Sequence, residues 1–574
     1  MQTLRGRLII GMTIILSAVM LLNWLRSHPG SRTITVPTDA MYVFQGVTGP
    51  DGVTSVQAPP ATSWNQSAEG SPARLAVLLT DPSSAWLGLV HGLKTIGIPF
   101  IITQDYAEAL THHVVLVYPE ISGVVLTPEA LQALAAFPRS GGTLIGSQVL
   151  GGGLQEVFGF REAVPSRQRF EVRFDSNAPF VSSLADPGER RLRLGNRTKH
   201  PDAFGSYGYT QSAGPLARYE DGTAAVTYRS QGKGHAYAVG IDLGALLLKG
   251  YNNRGEEMTW SYDNRFDPSL DVWLRFLKDV YTAGEPDAVT VGTVPFGRSL
   301  SVMVTHDVDF TQSMANAVTY AEYEKSQDVV GTYFIQTKYI RDYNDDIFFD
   351  HQGIVHLKKL AKLGMEIGSH TVAHSKLFAR FPMGTGTEQY PTYTPFVKDR
   401  NTTSNGTILG ELRVSKFLLE HFSDQTLMSF RPGELSNPGA LPQALQAVGY
   451  RYSSSTTANN SLTHLPYQLN YDRLHDAEMD VFEFPVTVED EELPKLGERL
   501  SQAVELAHQI SRYGGSFVLL IHPNILDHKL EFEKRFVESV KSFAWFGSVS
   551  QFGQWWAARN DMAVDVAAEG ETYV

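Results

Sequence analysis

Four times between Ser301 and Asn524 a run of apolar residues stops at a chemically active side chain. Ser301–Phe310 reads SVMVTHDVDF and ends on two carboxylates, Asp307 and Asp309. Met365–His374, MEIGSHTVAH, carries His370 and His374; Ser429–Gly433, SFRPG, carries Arg431; Phe517–Pro523, FVLLIHP, runs straight into His522. Short apolar runs that end abruptly in polar groups fit the strands of an α/β fold. Such strands are buried along their length, and their carboxyl ends project side chains into a shared site.

Each piece alone has an ordinary explanation. Aspartate initiates turns and caps helices. With 17 His in 574 residues, roughly half a His-x-x-x-His pair arises by chance, so that spacing is not specific. If the segment is helical, His370 and His374 share one face, and with a carboxylate from elsewhere they form a site with open coordination positions. Its position directly after the strand-like MEIG carries more than the spacing does. A lone Arg is commonly a surface ion-pairing residue, although Arg431 at a strand end can orient a carboxylate. A lone His after a strand is commonly just a satisfied histidine, so His522 gains meaning only by converging with the others.

In this order the four pieces resemble the polysaccharide deacetylase family (the NodB-homology or carbohydrate esterase family 4 domain). Its pattern is Thr-Phe-Asp-Asp, then His-(Ser/Thr)-x-x-His, Arg-x-Pro-Tyr and Leu-x-Leu-His. The counterparts are Thr305–Asp309, His370–His374, Arg431-Pro432-Gly433 and Leu520-Ile521-His522, with supporting strands at Gly331–Ile335 and Glu483–Val486. The resemblance covers residues 295–560 and implies a distorted (β/α) barrel with its site at the strands' carboxyl ends. It implies a divalent metal, Zn²⁺ first and Co²⁺ or Ni²⁺ as alternatives, held by Asp309, His370 and His374. Asp307 would be the base, Arg431 its orienting partner and His522 the acid that protonates the departing amine. A backbone N–H near Gly433 would stabilise the oxyanion.

Three features depart from the pattern. Val308 separates the two aspartates, so base and ligand remain interchangeable at this stage. Tyr is missing after Arg431-Pro432. Tyr450–Thr457, YRYSSSTT, offers no Asp to orient His522. The reaction implied is deacetylation of N-acetylated amino sugars in a bacterial polysaccharide. The alternatives are an inactive polysaccharide-binding or assembly protein on the same fold and a sugar O-acetyl esterase. Ser375–Gly406 is a long loop with Phe378, Phe381, Tyr390, Tyr393 and Phe396, which could stack on sugar rings or pack the loop down.

The rest of the chain divides readily. Arg5 and Arg7 precede an apolar stretch from Leu8 to Leu25, which as a helix spans about 27 Å, enough for a bilayer core. No small-x-small cleavage site follows, so residues 1–26 are expected to be a retained transmembrane anchor with the remaining chain outside the cytoplasm. An exopolysaccharide export or assembly complex is a natural partner there. Residues 27–73, rich in Ser, Thr, Pro and Gly, read as a tether with one short strand near Met41–Phe44. Residues 74–285 alternate strands and helices as a parallel-sheet α/β domain does: Arg74–Thr80, a helix at Trp86–Thr95, Ile98–Thr103, Val114–Tyr118 and a helix at Thr127–Phe137. Arg169–Phe174, Ala217–Tyr228 and His235–Ile241 are expected to be antiparallel strands. This region resembles the glutamine-amidotransferase-like fold, whose chemistry needs a Cys nucleophile. The chain contains no Cys, so the domain is expected to be non-catalytic. A formal charge of −13 without a basic run argues against a nucleic-acid partner.

Overall fold

The computed structural model describes residues 41–175, 180, 183–197, 204–252, 264–473, 476–566, 568–569 and 572–573. The apolar stretch expected to be a membrane anchor lies outside the described residues, and among those described no helix is long and apolar enough to cross a membrane.

The first unit begins with β1 (Leu75–Leu79), buried at all five positions, which demands cover on both faces. Helix α1 (Trp86–Ile96), β2 (Phe100–Thr103), β3 (Val114–Tyr118), α2 (Pro128–Ala136) and β4 (Thr143–Ser147) follow. Thr127 caps α2 by accepting the Ala130 N–H. The chain then turns antiparallel through β5 (Glu162–Ser166), β6 (Glu171–Phe174), β7 (Arg191–Arg193), β8 (Ser206–Thr210), β9 (Pro215–Tyr219), β10 (Ala224–Gln231) and β11 (Gly234–Val239). The main path of the sheet is β2-β1-β3-β4-β11-β10-β9-β6-β7, parallel from β2 to β11. The strand expected across 217–228 is two strands. Glu220-Asp221-Gly222 makes a tight turn in which Asp221 accepts the Thr223 N–H at 3.0 Å and Gly222 takes φ +84°. Helices α3 (Leu243–Asn252) and α4 (Ser269–Gly284) close the unit.

The second unit opens with β12 (Leu300–Val308), buried at all nine positions. It continues through α5 (Thr311–Ser326), β13 (Thr332–Ile335), α6 (His351–Leu363) and β14 (Glu366–Ser369). A small hairpin, β15 (Phe396–Asp399) and β16 (Thr402–Ser404), precedes α7 (Ile408–Ser423), β17 (Ser429–Phe430), α8 (Leu441–Val448) and β18 (Tyr452–Ser453). Then come β19 (Tyr467–Asn470), β20 (Glu478–Glu483), α9 (Leu500–Ser511), β21 (Ser516–Ile521), α10 (His528–Val540), β22 (Ala544–Phe546) and α11 (Val549–Asn560). The sheet runs β19-β20-β18-β17-β14-β13-β12-β21, with β22 also on β12. Beyond β20 the chain bridges Val486 to Thr457 and Val488 to Leu519, so the sheet curls until its two sides meet.

Residues 41–73 are not a free tether. Tyr42 donates its N–H to Tyr339 O at 2.9 Å, Gly49 to Tyr390 O at 3.0 Å and Val53 to Gly386 O at 3.2 Å. Phe44 is buried, its ring 4.6 Å from that of Phe422. The strand expected near Met41–Phe44 is a single bridge from Met41 to Ile340. The aromatic loop is packed down: Tyr390 is buried beneath this strap, Tyr393 against α7 and Phe378 beside Phe430 of β17, so none of the three is presented to a ligand.

Candidate active site

Side chains alternate along a strand, so Thr305, Asp307 and Asp309 share one face at the carboxyl end of β12, and His306 and Val308 take the other. The interposed Val308 therefore keeps both carboxylates on the inner face of the curled sheet. β12 lies between β13 and β21, pairing Asp307 with Phe334 and His306 with Ile521.

His370 and His374 leave the end of β14 in a loop, not in the helix their spacing suggested. Thr371 (φ 69°) and His374 (φ 51°) both adopt left-handed backbone, which is costly for a β-branched residue, and the two rings meet at 5.0 Å. Buried Glu411, on α7, stabilises this turn. One of its carboxylate oxygens accepts the Val372 and Ala373 N–H groups at 2.7 and 2.9 Å, and the other accepts Tyr393 OH at 2.9 Å. Asn344 donates to His374 O at 2.9 Å from the loop after β13.

The structure brings all six residues singled out in the sequence together. Asp309 Oδ1 is 3.3 Å from His370 Nε2 and 3.7 Å from His374 Nε2. Asp307 Oδ2 is 3.8 Å from His370 Nε2, and Asp309 Oδ2 is 3.4 Å from His522 Nε2. Arg431, fully buried after β17, donates to Asp307 Oδ1 at 2.8 Å, Thr305 Oγ1 at 2.9 Å, Ser454 O at 3.1 Å and Ser454 Oγ at 2.8 Å. Its guanidinium also lies 4.4 Å over the Phe334 ring. The serine-rich run that lacks an Asp thus supplies the cradle for Arg431. Gly433 passes so close to His374 that a Cβ there would meet the ring at 2.5 Å, which excludes a larger residue.

An orienting acid for His522 exists, although none was evident in the sequence. Asp490 accepts from His522 Nδ1 at 2.6 Å and from its backbone N–H at 2.7 Å, and pairs with Lys529 at 2.7 Å. It follows the bridging segment 486–488. Its signal was present, because the apolar run through Val488 ends in Glu489-Asp490 as the other runs end in their site residues.

Electrostatics separates these groups. Burial raises the Asp307 carboxyl, but Arg431, His370 and His522 outweigh it and hold the group below the ordinary carboxylate value. Burial lowers His370 more than Asp307 and Asp309 raise it, so its imidazole is neutral. Burial also opposes charge on His522, but the charge and hydrogen bond of Asp490, with Asp309 and Asp307, push it up to about 10. Asp490 itself is held well below the ordinary range, where its interactions with His522 and Lys529 outweigh burial.

Asp309, His370 and His374 suit a divalent cation. Their donor atoms lie within 4.8 Å of one another. Asp309 Oδ1 is buried without a hydrogen bond, and the His370 Nδ1 contact to Arg431 O at 2.8 Å leaves Nε2 free to ligate.

An ionised carboxylate fixed by Arg and a protonated histidine fixed by Asp, both beside such a trio, define a hydrolase site able to move two protons. Residues 300–453 match the family model for polysaccharide deacetylase, and this part of the chain is a hydrolase domain of that family. His522 and Asp490 lie beyond the matched segment. Among solved structures the chain is similar to a candidate polysaccharide deacetylase from Mycobacterium smegmatis (16% identity, 49% of this chain and 99% of that chain, TM-score 0.36). It is similar also to the chitin deacetylase of Colletotrichum lindemuthianum (13%, 46% and 90%, 0.27) and to a CE4 family pseudoenzyme from Bacillus anthracis (11%, 44% and 65%, 0.25). No curated protein matches the chain.

Proposed function

We propose that this protein is a metal-dependent deacetylase that hydrolyses the N-acetyl groups of amino sugars in a bacterial polysaccharide, on a distorted (β/α) barrel. The observation that carries this reading is the convergence of two charged pairs, Arg431–Asp307 and Asp490–His522, on Asp309, His370 and His374, with Asp307 Oδ2 3.8 Å from His370 Nε2 and His522 Nε2 3.4 Å from Asp309 Oδ2. Asp309, His370 and His374 would hold the divalent ion, Zn²⁺ by donor type, which when bound polarises the acetyl carbonyl and acidifies water.

The chain's own groups account for the proton traffic. Asp307, kept ionised by Arg431, accepts a proton from the attacking water. His522, kept protonated by Asp490, donates one to the departing amine, without which an amide C–N bond breaks poorly. Water and amide thus yield acetate and free amine. Asp307 is favoured as base because Arg431 occupies one of its oxygens, and Asp309 as ligand because its Oδ1 has no hydrogen bond.

A polymeric substrate suits the rim. Phe310, Tyr343, Leu493 and Leu526 are exposed apolar side chains on the loops that follow β12, β13, the bridging segment and β21, each close in sequence to a site residue or its support. Aromatic faces among them can stack on the apolar faces of sugar rings. The basic-then-apolar stretch Arg5–Leu25 would tether the enzyme outside the cytoplasm. The first unit, amidotransferase-like in resemblance and devoid of Cys, would serve as support.

Acetate release from N-acetylhexosamine oligosaccharides by the purified full chain, with added Zn²⁺ or Co²⁺, tests the reading. Activity is expected to be abolished by chelation, restored by metal and lost in His370→Ala and Asp307→Asn. A folded chain that binds metal yet releases no acetate from any N-acetylated glycan would refute it.

A further inference from the structure

The outer face of β12 carries a second concentration of ionisable groups, which the hydrolytic chemistry does not use. His306 points away from the site into the layer between β12, β13, α5 and α10. There it meets Glu324 of α5 and Glu533 of α10, and all three side chains are fully buried. His306 Nε2 is 2.8 Å from Glu324 Oε1 and 3.6 Å from Glu533 Oε2. Tyr333 OH donates to Glu324 Oε2 at 2.7 Å. Both oxygens of Glu533, and Nδ1 of His306, have no hydrogen-bond partner.

Two carboxylates in an apolar layer need compensation, because a buried unpaired charge is very costly. One imidazole cannot neutralise both, and the only hydrogen bonds in the cluster go to Glu324. We propose that His306, Glu324 and Glu533 bind a second divalent metal ion of the Zn²⁺ class, in a structural role. Two carboxylates balance its charge. One imidazole nitrogen and one oxygen of each glutamate make three donors, and the second oxygen of Glu533, which has no hydrogen-bond partner, completes the four of a closed site at a short bite.

The spacing agrees with this. Metal–ligand bonds of about 2.1 Å at angles between 90° and 120° put neighbouring donors about 3.0 to 3.6 Å apart, close to the 2.8 and 3.6 Å seen here. The donor atoms of all three residues lie within 4.8 Å of one another, the property shared by Asp309, His370 and His374. Tyr333 supplies the outer hydrogen bond that commonly orients a ligating carboxylate. An ion here ties α5 and α10 to the back of the strand that presents Asp307 and Asp309. With no solvent route to the cluster, it would be taken up as the chain folds.

Metal content of the purified full chain, measured by elemental mass spectrometry, decides the matter. Wild type is expected to hold about two equivalents. His370→Ala/His374→Ala should keep about one equivalent that resists native dialysis against chelator and is released on denaturation. Adding Glu533→Gln should remove it and lower Tm. Because that variant can misfold, Co²⁺ is also loaded during expression of His370→Ala/His374→Ala, where a closed four-coordinate site gives intense visible absorption. If the folded double variant carries no metal and no Co²⁺ spectrum, a proton on Glu533 holds the cluster and the proposal is wrong.

Discussion

Asp490→Asn is the most informative single change, because it alters the acid without touching the two histidines and aspartate of the central trio. His522 at about 10, against about 6.5 for an ordinary imidazole, corresponds to on the order of 5 kcal/mol of preference for the protonated form. Asp490 supplies the largest favourable share, through its charge and a 2.6 Å hydrogen bond. The shares of Asp309 and Asp307 depend on what those carboxylates bind, whereas that of Asp490 does not. The substitution should therefore move the alkaline limb of kcat/KM down by about two pH units and cut kcat at neutral pH by about 10²–10⁴-fold. KM should change little.

A leaving group that needs no proton provides the control. On an aryl acetate ester the same variant should lose less than about tenfold. The substitution also leaves Lys529 without its carboxylate partner, at a cost of about 3 kcal/mol, the low end for a broken buried pair because Asn524 Oδ1 (2.8 Å) still accepts from it. Asp490→Asn/Lys529→Met should recover much of that stability and none of the amide activity. His522 also couples to stability. Its folded value is raised, so its contribution is complete below about pH 6.5 and is lost as pH rises through about 10. Tm of wild type should fall across that window more steeply than Tm of the variant. Equal losses on amide and ester, or an unmoved alkaline limb, would refute the acid role of His522.

Three further changes probe the supports. Arg431→Met leaves Asp307 buried without its cation and should cost about 3–5 kcal/mol in denaturant titration while moving the acid limb of the rate profile upward. Glu411→Ala frees the Val372 and Ala373 N–H groups, and should lower metal affinity at His374 about 10–100-fold by calorimetry with a smaller loss of Tm. Phe310→Ala/Tyr343→Ala should raise KM for oligosaccharides about tenfold with kcat nearly unchanged, the signature of lost sugar stacking.

How much of this was readable in the chain varies with how local each determinant is. β3 matches the expected Val114–Tyr118 because a short, wholly buried parallel strand announces itself as a bounded apolar run. That the six candidate residues gather in one place was readable for the same reason, since each stands at or shortly past the end of such a run. His370 and His374 were expected to meet on one face of a helix; they do meet, but through two left-handed residues in a loop. Asp490 ended a fifth run of the same kind. Glu411 was not readable, since it sits in an amphipathic helix where an acid ordinarily faces solvent, and only the turn packed above it makes it an acceptor. Nor could the direction of Tyr390 be read, because it depends on the strap at 41–53, more than three hundred residues away in sequence.

The contacts between the two units bear on what the first one contributes. Asp271 of α4 is buried and accepts from Thr463 Oγ1, from the His464 N–H at 2.8 Å and from Tyr513 OH at 3.0 Å, all in the second unit. Burial pushes its carboxyl up to about 6 against those bonds. Asn252 at the end of α3 accepts the Asn470 N–H at 2.6 Å, and the Tyr251 and Tyr467 rings stack at 4.5 Å and 4°. From α11, Arg559 donates to Lys94 O and Thr95 O of the first unit and to Gly292 O and Val291 O of the connector. Separating the units would exchange these bonds for bonds to water, at a net cost of about 0.5–1.5 kcal/mol each. An interface held by that many buried hydrogen bonds is a fixed joint and not a hinge. The first unit therefore braces the side of the curled sheet at β19.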